Sequence, residues 1–171
     1  AAGESPALDV LAQLMGSDSH AYIYRALVVD KPLAVSASAS YQGTAVDATQ
    51  FSIAAAPKQD VSFAQVEQVI DEVIANLATN TVPAEDLERV KTQLIADAIY
   101  AQDNQATLAR WYGAAVTVGL SVDYIRSWPD RIGAVTAAQV RDAAKKWLVK
   151  TRSVTGYLIK DTTPKREEKR S

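Results

Sequence analysis

A chain of 171 residues with 48 % hydrophobic and 22 % charged residues has the balance of an ordinary globular domain, large enough to bury a core without covalent staples. Its formal net charge of -2 argues against the basic face that nucleic-acid binding requires, and its lack of cysteine excludes disulfides, thiolate nucleophiles and sulfur-ligated metals. The longest apolar stretch, Leu94 to Leu120, is interrupted by Asp97, Asp103 and Arg110 and is too polar for a membrane span.

"AAGESPAL" has neither a basic start nor an apolar run, so no signal peptide is expected within the chain. Ser5 followed by Pro6 reads as an N-cap with proline at the first helical position, and Leu8, Leu11 and Met15 then recur at helical spacing. Gly16 and the polar group Ser17, Asp18 and Ser19 end that helix. A second short helix is expected from His20 to Val29, with Ile23 and Leu27 buried, stopping before Pro32 because the residue preceding a proline disfavours helical geometry.

From Leu33 to Tyr41 the apolar period becomes two, the pattern of a strand with one buried face. "QGTAVD" reads as a loop, and Gln50 to Ala56 alternates again as the second arm of a hairpin. "SFAQ" at Ser62 to Gln65 fits a capping box. The helix it opens carries Val66, Val69, Ile70, Val73, Ile74 and Leu77 on one face.

Pro83 opens another helix, with Leu87, Val90, Leu94 and Ala98 as its stripe and Glu85 paired with Arg89 one turn on. Its pattern runs on to Gly119, with a kink expected near Asp103 and Asn104. "SVDYIRSWPDRIGAV" reads as a short helix interrupted at Pro129, and a second capping box at Thr136 to Gln139 starts a helix with Val140, Ala144, Trp147 and Leu148. Ser153 to Ile159 reads as a last strand, followed by a flexible charged tail over 161–171. The order predicts an α+β fold, a mainly antiparallel sheet with helices packed on one face, forming a single domain over 1–160.

Candidate chemistry is sparse. A Ser/His/Asp hydrolase would have to use the one histidine, His20, as its base, and without cysteine a metal site would be mostly carboxylate, suited to magnesium or calcium rather than zinc, with no calcium loop visible. Neither G-x-S-x-G nor a phosphate-binding glycine loop occurs. The acidic pairs Glu85/Asp86 and Glu167/Glu168 suit a helix start and a solvated tail better than acid–base catalysis. Trp111 and Tyr112, with Tyr100 and Leu108, are an aromatic group at helical spacing, read as core rather than as the wall of a pocket.

The order of motifs carries more information than any one of them. "ESPALDVLAQLMGSDSHAYIYRALVVDKPLAVSASASY", then "ATQFSIAAAP", "EDLERVKTQLIAD" and "WPDRIGAVTAAQVRDAAKKWL", ending at "RSVTGYLI", resembles the second domain of pitrilysin/insulinase-type zinc peptidases over Ser5 to Ile159. The resemblance implies a processing-peptidase-like α+β domain of a four-domain peptidase that encloses a chamber, built as one chain or as two half-length subunits. Zinc then belongs to an H-x-x-E-H helix in a preceding domain. That motif is absent here, so the resemblance implies no cofactor and no catalytic residue in this chain.

In that family the half without zinc supplies an arginine and a tyrosine, seven residues apart, to substrate. Aligned on "YRALVVDKPLAV", these positions fall on Val28 and Val35, and Pro32 replaces the usual glycine. Neither valine donates a hydrogen bond to an oxyanion. The resemblance therefore implies a non-metal accessory domain of the zinc-bearing subunit, or else a degenerate subunit. Its partners would be the preceding zinc domain, a second subunit of the same family and a peptide substrate, with no membrane span. Tyr24 and Arg25 match the family's "YR" and read as packing and turn-fixing residues. The competing reading is an independent protein-interaction or scaffold module. The compartment stays open, the cell envelope or periplasm being the location of many bacterial relatives.

Overall fold

The computed structural model describes residues 3–159, so the tail expected over 161–171, with Glu167 and Glu168, lies outside the described residues. Helix α1 (Ser5–Gly16) is the centre of the fold. Its three leucines share one side, but small and apolar residues cover most of the remainder, and ten of its twelve residues are buried. It packs against β1 (Ala34–Tyr41), α4 (Ala84–Tyr100), α7 (Trp128–Gly133) and α8 (Ala137–Trp147). Leu11, Leu14 and Met15 have no exposed surface, and each such burial is worth about 1.5–3 kcal/mol.

Ser5 is the first helical residue and is buried, so it does not cap α1 as expected. Glu4 takes the cap position, and its carboxylate is claimed by Lys146 Nζ at 2.7 Å and Trp147 Nε1 at 3.2 Å. The lysine hydrogen bond, opposed in part by desolvation, holds the Glu4 carboxyl below the usual glutamate range.

β1 and β2 (Phe51–Pro57) form an antiparallel pair in which Ala37 faces Ala55, Ala39 faces Ile53 and Tyr41 faces Phe51. These pairs turn toward the helices, while Ser38 and Ala54 face out. The small residues of β1 let α1 approach closely: a Cβ added to Gly16 would stand 1.9 Å from the backbone nitrogen of Ala39.

Both predicted capping boxes form. Gln65 N donates to Ser62 Oγ at 3.3 Å and Ser62 N to Gln65 Oε1 at 3.0 Å, opening α3 (Phe63–Thr79). Thr136 and Gln139 make the same exchange at the start of α8, at 3.3 and 2.9 Å.

Four further expectations are corrected. The long helix after Pro83 breaks where a kink was expected: α4 ends at Tyr100, a 3-10 turn covers Ala101–Asp103, and Asn104 caps a separate α5 (Gln105–Thr117), accepting from Thr107 N at 3.0 Å. Pro129 starts a helix rather than interrupting one, because it occupies the first turn of α7, where its missing N–H leaves no gap; α6 (Val122–Arg126) precedes it. Ser153 to Ile159 is extended but forms no strand, since no neighbouring strand among the described residues takes its hydrogen bonds; Val154 and Leu158 are almost fully exposed. The helical bond expected between Glu85 and Arg89 is also replaced. Arg89 instead reaches Asp18 at 3.4 Å and Asp86 at 3.6 Å, tying α4 to the loop after α1.

Candidate functional site

The junction between α1 and β1 holds the residues singled out in the sequence. Asp18 opens it by accepting from the backbone N–H of His20 at 2.7 Å, an Asx-type turn. The imidazole itself points into solvent, 74 % exposed, with Nδ1 3.9 Å from Asp18 Oδ1. No third ligand joins them: among the described residues no group of three His, Asp or Glu side chains stands ready for a metal. The residues here do not fit zinc.

Beyond His20 the backbone departs twice from regular geometry. Helix α2 (Tyr22–Tyr24) widens into a π-helical turn over Arg25–Asp30, closed by Lys31 N donating to Ala26 O at 3.1 Å. Ile23 and Leu27 anchor this turn with no exposed surface, and Val28 lies half-buried against the same core. The chain then reverses through Pro32, with Leu33 N donating to Leu27 O at 2.9 Å.

At the start of β1 the pairing runs from Ala34–Pro57 to Ser36–Ala56, so Val35 is the extra residue of a β-bulge. Its side chain is 61 % exposed. π-turns and bulges are the two devices by which a regular element re-aims a side chain. Here they bracket the junction at positions 28 and 35 and carry two valines, which offer neither charge nor hydrogen bond. Tyr24 is half-buried and Arg25 is exposed. Residue types carry no signal for the π-turn; Pro32 marks where the helix must have stopped, not how.

The other candidates separate. Asp86 lies in the first turn of α4 and accepts from Tyr22 Oη at 2.7 Å, while Glu85 is exposed beside it. Burial and that acidic partner push the Tyr22 phenol well above its ordinary value. Trp111 meets Tyr112 edge-on at 6.2 Å and Trp128 at 6.1 Å, but Tyr100 is 73 % exposed and leaves the group. Trp111 therefore lines an opening rather than filling the core, and its partner Trp128 and the nearby Asp9 were not singled out from the sequence. No helix among the described residues is long and apolar enough to cross a membrane.

Residues 2–94, over half of the chain, match the family model described as the peptidase M16 inactive domain. The chain belongs to that family. The M16 assignment agrees with the zinc-peptidase resemblance of the motifs, and the fold follows it. The chain superposes with a TM-score of 0.81 and 17 % identity on the inactive peptidase domain of a protein described as a zinc protease from Bordetella parapertussis, covering 95 % of this chain and 87 % of that one. A protein described as a zinc protease from Bordetella pertussis gives 0.80 at 19 % identity, over 94 % and 89 % of the two chains.

A protease from Helicobacter pylori gives 0.80 at 17 % identity, covering 88 % of this chain. This M16 domain spans 36 % of that protease's length. No curated protein matches the chain.

Proposed function

We propose that this M16 domain is the non-metal accessory domain of a zinc-dependent endopeptidase, shaping the peptide chamber and the contact with a partner half, while zinc and the hydrolytic chemistry reside in a preceding domain. The junction supports this reading. Its backbone is contoured to aim side chains at positions 28 and 35, yet Val28 and Val35 cannot donate to a developing oxyanion. The domain then belongs to the half that carries zinc, where a substrate-binding pair is not required of it.

The test uses the 171-residue chain and the longer, zinc-bearing protein that this reading requires. The chain alone should hold no stoichiometric zinc and cleave no peptide. The longer protein, with its partner, should show phenanthroline-sensitive hydrolysis that disappears when this domain is deleted. Chelator-sensitive proteolysis by the isolated chain would overturn the reading. Undiminished hydrolysis after deletion would make the domain a scaffold module instead.

A further inference from the structure

The end of β1 with α1, α4, α5, α6 and α7 lines an open cavity of about 370 Å³, within the range of small-ligand sites. Four aromatic side chains line it: Trp111 and Trp128 stand edge-to-face at 6.1 Å, with Tyr41 and Tyr124 also in the wall. Two carboxylates, Asp9 and Asp97, line it, and no lining residue is Lys, Arg or His.

Asp9 is the singular group. Its Oδ2 accepts from Trp128 Nε1 at 3.2 Å, and Oδ1 has no hydrogen-bond partner among the described residues. The cation that acts on it, Arg131, forms no ion pair with it: its guanidinium stacks 3.5 Å from the Tyr124 ring centroid and donates to the Tyr124 carbonyl at 2.5 Å. Gly43 keeps the space beside Oδ1 clear, because a Cβ there would come within 3.0 Å of Ser5 Oγ and 3.5 Å of Asp9 Oδ1. Desolvation pushes the Asp9 carboxyl up to about 6.

We propose that this cavity binds an organic cation on an aliphatic stem, its ammonium or guanidinium seated on Asp9 and its stem lying along Trp111 and Trp128. Three features of the cavity select that class. A carboxylate with an unused oxygen favours a charged donor, aromatic faces favour a cation over a neutral group, and apolar walls cover a hydrocarbon stem. An anion would meet two carboxylates and no cation in the lining. The same chemistry occurs on a free alkylamine and on the lysine or arginine side chain of a peptide.

The 171-residue chain carries its own reporters, since Trp111 and Trp128 line the cavity and Trp147 lies outside it. Titration near pH 7.5 with agmatine, and separately with acetyl-Gly-Arg-Gly-amide, should shift the Trp111 and Trp128 indole resonances saturably and leave Trp147 in place. Tighter binding of agmatine assigns the site to a small amine, and tighter binding of the peptide assigns it to a side chain. Asp9→Asn keeps an oxygen for Trp128 and should weaken binding about tenfold or more, as one charge-assisted contact is lost. Gly43→Val should fill the space beside Asp9 Oδ1 and weaken binding of both cations while leaving the carboxylate's charge in place.

Binding should also fall as pH drops through about 6 and Asp9 takes up a proton, with Tyr41, Tyr124, Asp97, Arg131, Ser5 and Glu4 as the titratable and polar groups around it. No shift from either cation, an equal shift from neutral pentanol, or unchanged binding in Asp9→Asn would overturn the proposal.

Discussion

Helices α1 and α5 are nearly equal in length and opposite in environment. Ten of the twelve residues of α1 are buried, against one of thirteen in α5, Ala115. α1 touches strand and helices on all sides, whereas α5 packs mainly on α6 and the 3-10 turn before it. Burial in this M16 domain is thus centred on α1, packed by α4, α7 and α8 as well as β1, whereas the roof of the cavity, α5 and α6, is held chiefly by its own caps. Segments with few buried contacts are the ones that open locally. A ligand site roofed by α5 and α6 can therefore admit its occupant without loosening the core.

The sharpest way to break this contrast is at the one glycine of each helix, Gly16 in α1 and Gly113 in α5. Gly16 lies where α1 meets β1, and an added Cβ would stand 1.9 Å from Ala39 N and 2.5 Å from the Ser38 carbonyl carbon. Both are backbone atoms, so relief requires the strand to move and its pairing with β2 to be strained. Gly16→Ala should lower stability by about 3 kcal/mol or more, at the upper end of overpacking effects, as measured by urea unfolding. A loss under about 1 kcal/mol would show that α1 and β1 are not so tightly joined.

Much of this was legible beforehand where local chemistry decides. The capping boxes at Ser62 and Thr136, the α3 stripe and the alternation of β1 all follow from side chains acting on nearby backbone. The failures share a cause, which is dependence on distant partners. Ser153 to Ile159 has the alternation of a strand but no strand beside it among the described residues, and alternation cannot report a missing neighbour. Trp128 and Asp9 make one contact across 119 positions of sequence, so nothing local marks either as part of a cavity. The junction was half legible: its order of residues marked positions 28 and 35, while the π-turn and bulge that contour it are written in tertiary packing.

A second contrast, smaller in size, concerns the charge that α1 carries beneath the cavity. Burial raises the Asp9 carboxyl from an ordinary 3.8 to about 6, so between those values the folded chain binds more protons than the unfolded one. Asp9 therefore favours folding below pH 4, and that advantage is lost as pH rises through about 6, a change on the order of 2 kcal/mol. Asp9→Asn removes the charge and keeps the Trp128 acceptor. It should unfold at higher temperature than the parent near pH 7.5, with the gap closing toward pH 4. A gap that does not change with pH would assign the effect to packing.

The smallest effect has the opposite sign to the first. Gly113 lies in α5 with nothing within 4 Å of the Cβ it lacks, so an added methyl meets no neighbour. Alanine loses less backbone freedom than glycine on entering a helix, a difference of about 1 kcal/mol in an exposed interior position. Gly113→Ala should therefore stabilise, where the same change at Gly16 disrupts. If α5 opens apart from the core, the gain will appear as slower amide exchange within Gln105–Thr117 rather than as a higher global midpoint. Equal slowing across α1 would instead mean that the two helices open together, and the independence of the cavity's roof would be lost.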